Sequence, residues 1–459
     1  MRLSPAVHFI GISGIGMSAL ARVLLQRGFR VSGSSDRRTE LTDRLVAEGA
    51  DVTIGHAAGN LGGAGTVVVS TAIARDNAEL SAARERGLDV LHRGALLAQL
   101  MHDRRGIAIA GTHGKTTTTA MLARVLEEGG LDPTVLVGGE RLDTSTNARD
   151  GAGAWLVSEA DESDLSFLDL RPEIAVVTNI ENDHIGSDAE LPGLIGAFER
   201  FVADLPARGL ALVGIDEPRA AALASLPRRS RTRTFGFGET ANVRATGASY
   251  GDFGSRFGVS VDGAFAGDIA LGVPGVINVA NALPAIAIAL ELGVSFATIA
   301  TALAGFRGVR RRFEILSRTP RMTLVDDYAH HPTAVAATIA AARENFAGPL
   351  VVAFQPHRFT RTQYLAREFA RALRGADYVI LTDIYAASER QIAGVDARSI
   401  GAPLAAFGNA VAYCDVAALP AYLLAHAPEG ALVLALGAGS ITNAAAALAR
   451  ELEPSGARA

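Results

Sequence analysis

Short apolar runs punctuated by glycine alternate along this chain with stretches whose apolar residues recur at helical spacing. Val7-His-Phe-Ile10 reads as a strand, Gly11-Ile-Ser-Gly-Ile-Gly16 as a glycine turn and Met17 to Gln26 as a helix, and Phe29-Arg-Val31 begins another strand. Thr66-Val-Val-Val-Ser70 is a further buried strand. This βαβ alternation, from about residue 6 to 98, predicts a parallel sheet with helices on both faces.

The same alternation resumes twice. A second block opens with the strand Gly106-Ile-Ala-Ile-Ala110 and a glycine-containing loop. A helix follows from about Thr116 to Glu128 and stops at Gly129-Gly130. Strands Ala154 to Ser158 and Ile174 to Thr178 come next. A third block carries strand Met322 to Val325, helix Thr333 to Asn345, and strands Leu350 to Phe354, Tyr378 to Thr382 and Ala431 to Leu436; the tail after Leu452 is expected to fray. The predicted fold class is α/β with three domains: a Rossmann-like parallel sheet over 1–98, a central P-loop-type α/β domain over 99–312, and a second Rossmann-like α/β domain over 313–459. A length of 459 residues agrees, since domains average roughly 150 residues.

Composition narrows the function. Hydrophobic content of 49% with 20% charge describes a globular chain with ample core, and a net charge of −5 argues against nonspecific nucleic-acid binding. Arg228, Arg229, Arg231 and Arg233 form a local, solvated patch. A single cysteine, Cys414, excludes an intramolecular disulfide and any multi-cysteine metal site. The N-terminus enters a strand without a signal-like apolar region, and the most apolar later stretch, Ala280 to Leu292, is too short to span a bilayer and contains Asn281 and Pro284. The expectation is a cytoplasmic enzyme with no membrane insertion, a monomer or weak homodimer.

Cation usage singles out one position. Of 43 Lys and Arg residues only Lys115 is a lysine, and it lies in Gly111-Thr-His-Gly-Lys-Thr-Thr117. Lysine is a compact point charge on a slim stem, able to slip between phosphate oxygens where the arginine fork is too wide. A strand, a glycine turn and a helix N-terminus turn backbone N–H groups toward a phosphate. Lys115 then reaches the β- and γ-oxygens and the Thr116 hydroxyl binds Mg²⁺. The spacing is a shortened variant of the ordinary phosphate loop: Ile109 occupies the expected first-glycine position, and only Thr112 and His113 separate Gly111 from Gly114.

Polar groups follow two more strands of that block. Ser158-Glu-Ala-Asp-Glu-Ser-Asp164 places carboxylates at the carboxyl end of a strand, where open α/β sheets bind ligands. Glu159 and Asp161 alternate onto one side, as hard oxygen ligands of Mg²⁺; the alternative is a solvated acidic loop. Thr178-Asn-Ile-Glu-Asn-Asp-His184 brings Asn179, Asp183 and His184 to the same edge. Three strand ends bearing metal-competent groups suit ATP–Mg²⁺ chemistry better than a core.

Gly11-Ile-Ser-Gly-Ile-Gly16 resembles a dinucleotide fingerprint with Ser13 in place of its second glycine, and Ser34, Ser35 and Asp36 follow at the distance of a ribose-binding group. Alone it fits NAD as readily as any nucleotide; beside a separate ATP loop, a second nucleotide-bearing ligand is the better reading. In the third block, Asp326-Asp-Tyr-Ala-His-His-Pro332 and Gln355-Pro-His-Arg-Phe-Thr-Arg361 both follow strands. Arg358 and Arg361 offer forked donors for a carboxylate or a transferring phosphoryl group, or else serve as surface ion-pair members.

Together Gly111-Thr-His-Gly-Lys-Thr-Thr-Thr118, Glu159-Ala-Asp-Glu-Ser-Asp164 and Asn179-Ile-Glu-Asn-Asp-His184 resemble the Mur ligases of peptidoglycan synthesis. Arg311-Arg-Phe-Glu314, Asp326-Asp-Tyr-Ala-His-His-Pro332, Phe354-Gln-Pro-His-Arg358 and Asp383-Ile-Tyr385 are similar to the branch that joins L-alanine to UDP-N-acetylmuramate, and the resemblance spans Phe9 to Ile441. It implies a UDP-sugar-binding domain, an ATPase domain and an amino-acid-binding domain, in that order. It implies ATP as co-substrate, an acyl-phosphate intermediate, and Mg²⁺ held by Thr116, Glu159 and His184. ATP contacts are implied for Gly111, Thr112, His113, Gly114, Lys115, Thr116, Thr117, Asn278, Asn281, Arg312 and Asp326 or Asp327. The UDP-sugar cleft is implied for Gly11, Ser13, Gly14, Ile15, Gly16, Ser35, Asp36, His56, Ser70, Thr71 and Arg93. Tyr328, His330, Arg358 and Arg361 are implied to approach the reacting carboxylate and the amino acid, with His184 or His330 as base.

Three positions depart from the family pattern. Ile277 stands where histidine is frequent, Ser13 replaces a glycine, and Ala334 replaces the glutamate after His-His-Pro-Thr. Several relatives hold a second metal with a carbamylated lysine; the corresponding stretch, Ala197 to Asp204, has none, in keeping with the alanine-adding branch. The rivals are a ligase that attaches a whole tripeptide to the same sugar nucleotide, an NAD-dependent dehydrogenase built on the first glycine loop, and a nucleotide sensor without chemistry. The dehydrogenase leaves Lys115 and the acidic motif unexplained, and the sensor predicts tight ATP binding with no ADP formation.

Overall fold

The computed structural model describes residues 3–182 and 190–453. Three sheets lie in sequence along the chain. The first has five parallel strands in the spatial order Asp51–Ile54, Arg30–Ser35, Ala6–Ile10, Thr66–Val69, Asp89–His92. Its order reverses beside Ala6–Ile10, so the crevice opens over the glycine turn that follows that strand.

The central sheet has ten strands and mixed direction. Its parallel core runs Arg231–Gly236, Leu210–Gly214, Ile174–Val177, Arg105–Ala110, Trp155–Glu159, Thr134–Arg141. Strands buried on both faces read as unbroken apolar runs, which is how Ile174–Val177 and Leu210–Gly214 appear in the sequence. Antiparallel additions flank this core. Thr146–Arg149 pairs with Thr134–Arg141, and Val243–Gly251, Gly254–Val261 and Ala264–Leu271 form a meander. The periodicity reading contained none of the meander: its strands mix polar and exposed positions with glycines, and two register shifts break the alternation.

The apolar segment near residue 280 is the helix Val276–Glu291, buried for most of its length against the helix Lys115–Glu128 within the largest core cluster. A helix apolar nearly all round belongs inside a fold. Among the described residues no helix is long and apolar enough to cross a membrane. The third sheet has six strands in the order Glu314–Arg318, Met322–Asp327, Ala431–Leu436, Leu350–Phe354, Tyr378–Leu381, Ala410–Tyr413. Only the first pairing is antiparallel.

Charged staples fix the domains against one another. Arg22, 2% exposed, reaches Glu48 at 2.7 Å and Asn147 of the central sheet. Arg44 meets Glu140 at 2.7 Å, and Arg310 meets Glu40 at 2.8 Å and Glu140 at 3.3 Å. The linker into the third domain is thereby tied to the first.

Candidate active site

Arg105–Ala110 lies where the central strand order reverses, and its loop runs straight into the helix that starts at Lys115. Gly114 caps that helix at φ 87°, in the left-handed region, and a Cβ there would lie 2.2 Å from Asn281 Oδ1; only glycine satisfies both demands. The loop is braced by the neighbouring strand end. His113 N–H donates to Asn179 Oδ1 at 2.8 Å, Asn179 Nδ2 donates to the His113 carbonyl at 3.1 Å, and Thr178 Oγ1 donates to the same carbonyl at 2.7 Å. Asn179 therefore sets the loop's shape.

Lys115 Nζ donates to the carbonyls of Gly111 (2.6 Å) and Thr112 (3.1 Å) and to both oxygens of Glu162 (3.0 and 2.9 Å). Burial opposes its charge, but Glu162, with Asp161 and Glu159 nearby, holds its pKa above the ordinary lysine value. Glu162, its side chain 1% exposed, is the ion-pair partner of the lone lysine.

Glu159 closes its strand facing Thr116, whose hydroxyl donates to Glu159 Oε2 at 3.1 Å; Gly138 N–H donates to the other oxygen. Burial pushes the Glu159 carboxyl up despite these donors and the charges of Lys115 and Arg312. Asp161 takes a different partner from the one its alternation with Glu159 suggested. Its carboxylate meets Arg93 at 2.7 Å, and Arg93 also reaches Asp164 at 3.2 Å, so an arginine of the first domain holds the acidic loop. Burial opposes ionisation of Asp161, but Arg93 and Lys115 keep its carboxyl far below the usual range.

Around this loop lies a cleft of about 400 Å³ with walls from all three domains. Ile15, Gly16 and Arg93 come from the first domain; Thr112 to Thr117, Glu159, Asn278 and Asn281 from the second; Arg312, Asp327, Tyr328 and His330 from the third domain and its linker. Asn278 Nδ2 donates to the Pro274 carbonyl at 2.7 Å, and Asn281 lies over Gly114. Arg312 sits over the Tyr328 ring at 5.0 Å and points toward Thr116.

Asp326 and Asp327 end the same strand on opposite faces. Asp327 borders the cleft and accepts from the backbone of Phe313 and Ala329 at 2.7 Å each; burial pushes its carboxyl up to about 6. Asp326 faces away and accepts from Thr442 Oγ1 at 2.5 Å, so of the two only Asp327 borders the cleft. Arg358 and Arg361 lie outside the cleft wall. His357 connects Arg361 to it, with Arg361 Nη1 3.2 Å from its Nδ1 and the His330 ring 5.4 Å away. His184, together with Asp183, lies outside the described residues.

In the first domain Gly11 N–H donates to the Ser34 carbonyl, Ser35 Oγ donates to Ser13 Oγ at 2.8 Å, and His56 bridges Ser34 (2.9 Å) and Asp36 (3.1 Å). Ser13 thus fills the missing-glycine position with a hydroxyl bonded to the next strand. Gly14 precedes the first helix, and Ser70 and Thr71 follow Thr66–Val69 at the same sheet edge. Beneath this surface sits Glu79, fully buried. Burial opposes its ionisation, but hydrogen bonds from His8, Ser34 and Asn60 bring its carboxyl down to about 2. Glu162 and His357 stand inside motifs quoted above without a role assigned to them, and Glu79 lies in no motif of the sequence.

Residues 6–105, 109–289 and 311–439 match, respectively, the sequence models "Mur ligase family, catalytic domain", "Mur ligase middle domain" and "Mur ligase, glutamate ligase domain". The chain is 48% identical over 448 residues to a UDP-N-acetylmuramate–L-alanine ligase of Acidithiobacillus ferrooxidans, covering 96% of each. It is 44% identical to the enzyme of that name from Geotalea uraniireducens, covering 97% of this chain and 98% of the relative. Among solved structures, UDP-N-acetylmuramate-alanine ligase from Thermotoga maritima superposes with TM-score 0.84 at 30% identity, over 97% of this chain and 98% of that one. A murein peptide ligase from Psychrobacter arcticus shares the fold, with TM-score 0.72 at 24% identity over 96% and 98%.

Proposed function

The chain belongs to the Mur ligase family, and we propose that it joins L-alanine to the carboxylate of UDP-N-acetylmuramate with cleavage of ATP to ADP and phosphate. One observation carries this reading: Lys115, the Thr116–Glu159 pair and the Tyr328–His330 wall face a single cleft built from three domains. A muramoyl carboxylate oxygen attacks the γ-phosphorus, and ADP leaves. The amine nitrogen of alanine then attacks the acyl-phosphate carbonyl, and the tetrahedral intermediate expels phosphate as the amine loses its proton. Closure around the cleft keeps water from the acyl phosphate.

We assign residues 1–98 to the UDP-sugar, 99–312 to ATP and 313–459 to the amino acid. Lys115 neutralises charge on the phosphoryl group, the loop amides of residues 111–117 cradle the phosphates, and Asn278, Asn281 and Arg312 hold the nucleotide. His330, backed by His357 and Arg361, orients the carboxylate and the amine, and Arg358 joins it as the cleft closes. The donors at Thr116 and Glu159 are hard oxygens, and burial raises the Glu159 carboxyl although Lys115 and Arg312 are near. They fit Mg²⁺, with His184 a third ligand by family resemblance; bound there, the ion supplies charge neutralisation at the phosphoryl oxygens. The proposed setting is the cytoplasm, as a monomer or weak homodimer that sedimentation would distinguish.

The test is ADP release with UDP-N-acetylmuramate and, in turn, L-alanine, glycine, L-serine and the L-alanyl-γ-D-glutamyl-diaminopimelate tripeptide. Fastest turnover with L-alanine is expected; faster turnover with the tripeptide overturns the assignment.

A further inference from the structure

Three cation-competent side chains meet at the cleft, with His113 and His331 on its wall, and the steps above use none of their ring nitrogens or carboxylate oxygens. His113 comes from the phosphate loop, Glu181 from the segment after Ile174–Val177, and His331 from the third domain, just before the helix Pro332–Asn345. One ligand atom from each lies within 4.8 Å of the other two. His113 Nε2 is 3.4 Å from Glu181 Oε2, His331 Nδ1 is 3.9 Å from the same oxygen, and the two imidazole centroids are 5.3 Å apart.

We propose that His113, Glu181 and His331 form a binding site for a borderline transition cation of the Zn²⁺ class, clamping the third domain onto the phosphate loop. Tetrahedral Zn²⁺ with bonds of about 2.0–2.1 Å sets its ligand atoms about 3.3 Å apart. The His113–Glu181 pair already has that spacing, His331 lies roughly 0.6 Å beyond it from Glu181, and the two imidazole ligand atoms, within 4.8 Å of each other, draw together as His331 swings in. His113 Nε2 is sealed from solvent and makes no aligned hydrogen bond among the described residues.

The carboxylate is also held in place. Thr333 Oγ1 donates to Glu181 Oε2 at 2.7 Å, and the Glu181 backbone exchanges hydrogen bonds with the Thr112 hydroxyl at 2.8 and 3.2 Å. Outer partners of this kind orient metal ligands. Two imidazoles and one carboxylate favour Zn²⁺, Co²⁺ or Ni²⁺, whereas the oxygen donors of Thr116 and Glu159, with at most one imidazole beside them, favour Mg²⁺. The two sites therefore select different ions. A three-ligand site leaves a fourth position for water or a phosphate oxygen. Because His331 belongs to another domain than His113 and Glu181, the bound ion opposes the reopening that substrate exchange requires.

The experiment is a titration of chelator-treated full-length protein with Co²⁺ in a large excess of Mg²⁺, without nucleotide or sugar, so that it is independent of the ligase assignment. One equivalent is expected to bind with the strong visible absorption of four-coordinate cobalt, and Zn²⁺ to displace it. His331→Ala and Glu181→Gln, each checked for a native melting transition, are expected to weaken binding by at least about 10–100-fold, the loss typical of removing even an outer partner. Displacement of Co²⁺ by Mg²⁺, or full affinity in either folded variant, overturns the proposal. Should one variant fail to fold, the other decides.

Discussion

Replacing Lys115 by arginine tests the centre of the mechanism, because the structure gives the ammonium a narrow seat. Its Nζ serves two carbonyls and a carboxylate, all within 3.1 Å of one atom. A planar guanidinium spreads its donors over a fork and cannot present them from a single point. Lys115→Arg keeps the charge opposite Glu162, so folding is expected to survive. Groups acting on transition-state charge are worth about 3–4 kcal/mol, so kcat should fall by roughly 10²–10³. Lys115→Met provides the contrast. It removes the ammonium from a buried ion pair, and stability should drop by about 3–5 kcal/mol. Coupled ADP release at saturating substrates gives the rate, and thermal melts give the stability. Near-normal kcat in Lys115→Arg would refute the phosphate role; a melt as damaged as that of Lys115→Met would refute the claim that the two effects separate.

Other consequences are equally concrete. Gly114→Ala forces a left-handed backbone that costs about 1–2 kcal/mol and drives a methyl into Asn281; ATP affinity by calorimetry should collapse. Glu159→Gln should shift the Mg²⁺ activation curve to higher concentration and lower kcat, and an unchanged curve would remove Glu159 from the ion site. Two carboxyls give opposite pH signatures. Glu79, about 2 when folded against 4.5, stabilises above 4.5 and loses that contribution as pH falls toward 2, so Glu79→Gln should flatten the acid limb of the melting profile. Asp327, about 6 against 3.8, contributes stability below 3.8 that is lost as pH rises through 6. The melting temperature of Asp327→Asn relative to wild type should therefore rise over that interval, and a flat difference would contradict the burial argument.

Contiguous chemistry was legible in the chain itself. The loop from Gly111 to Thr117, the carboxylate ending a strand at Glu159 and the glycine turn at residues 11–16 depend on neighbours in sequence, as does the strand–helix alternation that predicts three α/β units. The antiparallel meander over 243–271 was not legible, because half-exposed strands with glycines and shifted register lack a clean period of two. Pairings across space escaped in the same way. Nothing local says that Asp161 belongs to Arg93, that Lys115 rests on Glu162, or that Asp326 turns away from the cleft while Asp327 lines it. Those outcomes follow from which strands become neighbours and how three domains dock. A side chain's partner is set by register and packing, whereas its chemical capability is set by its own atoms and those beside it.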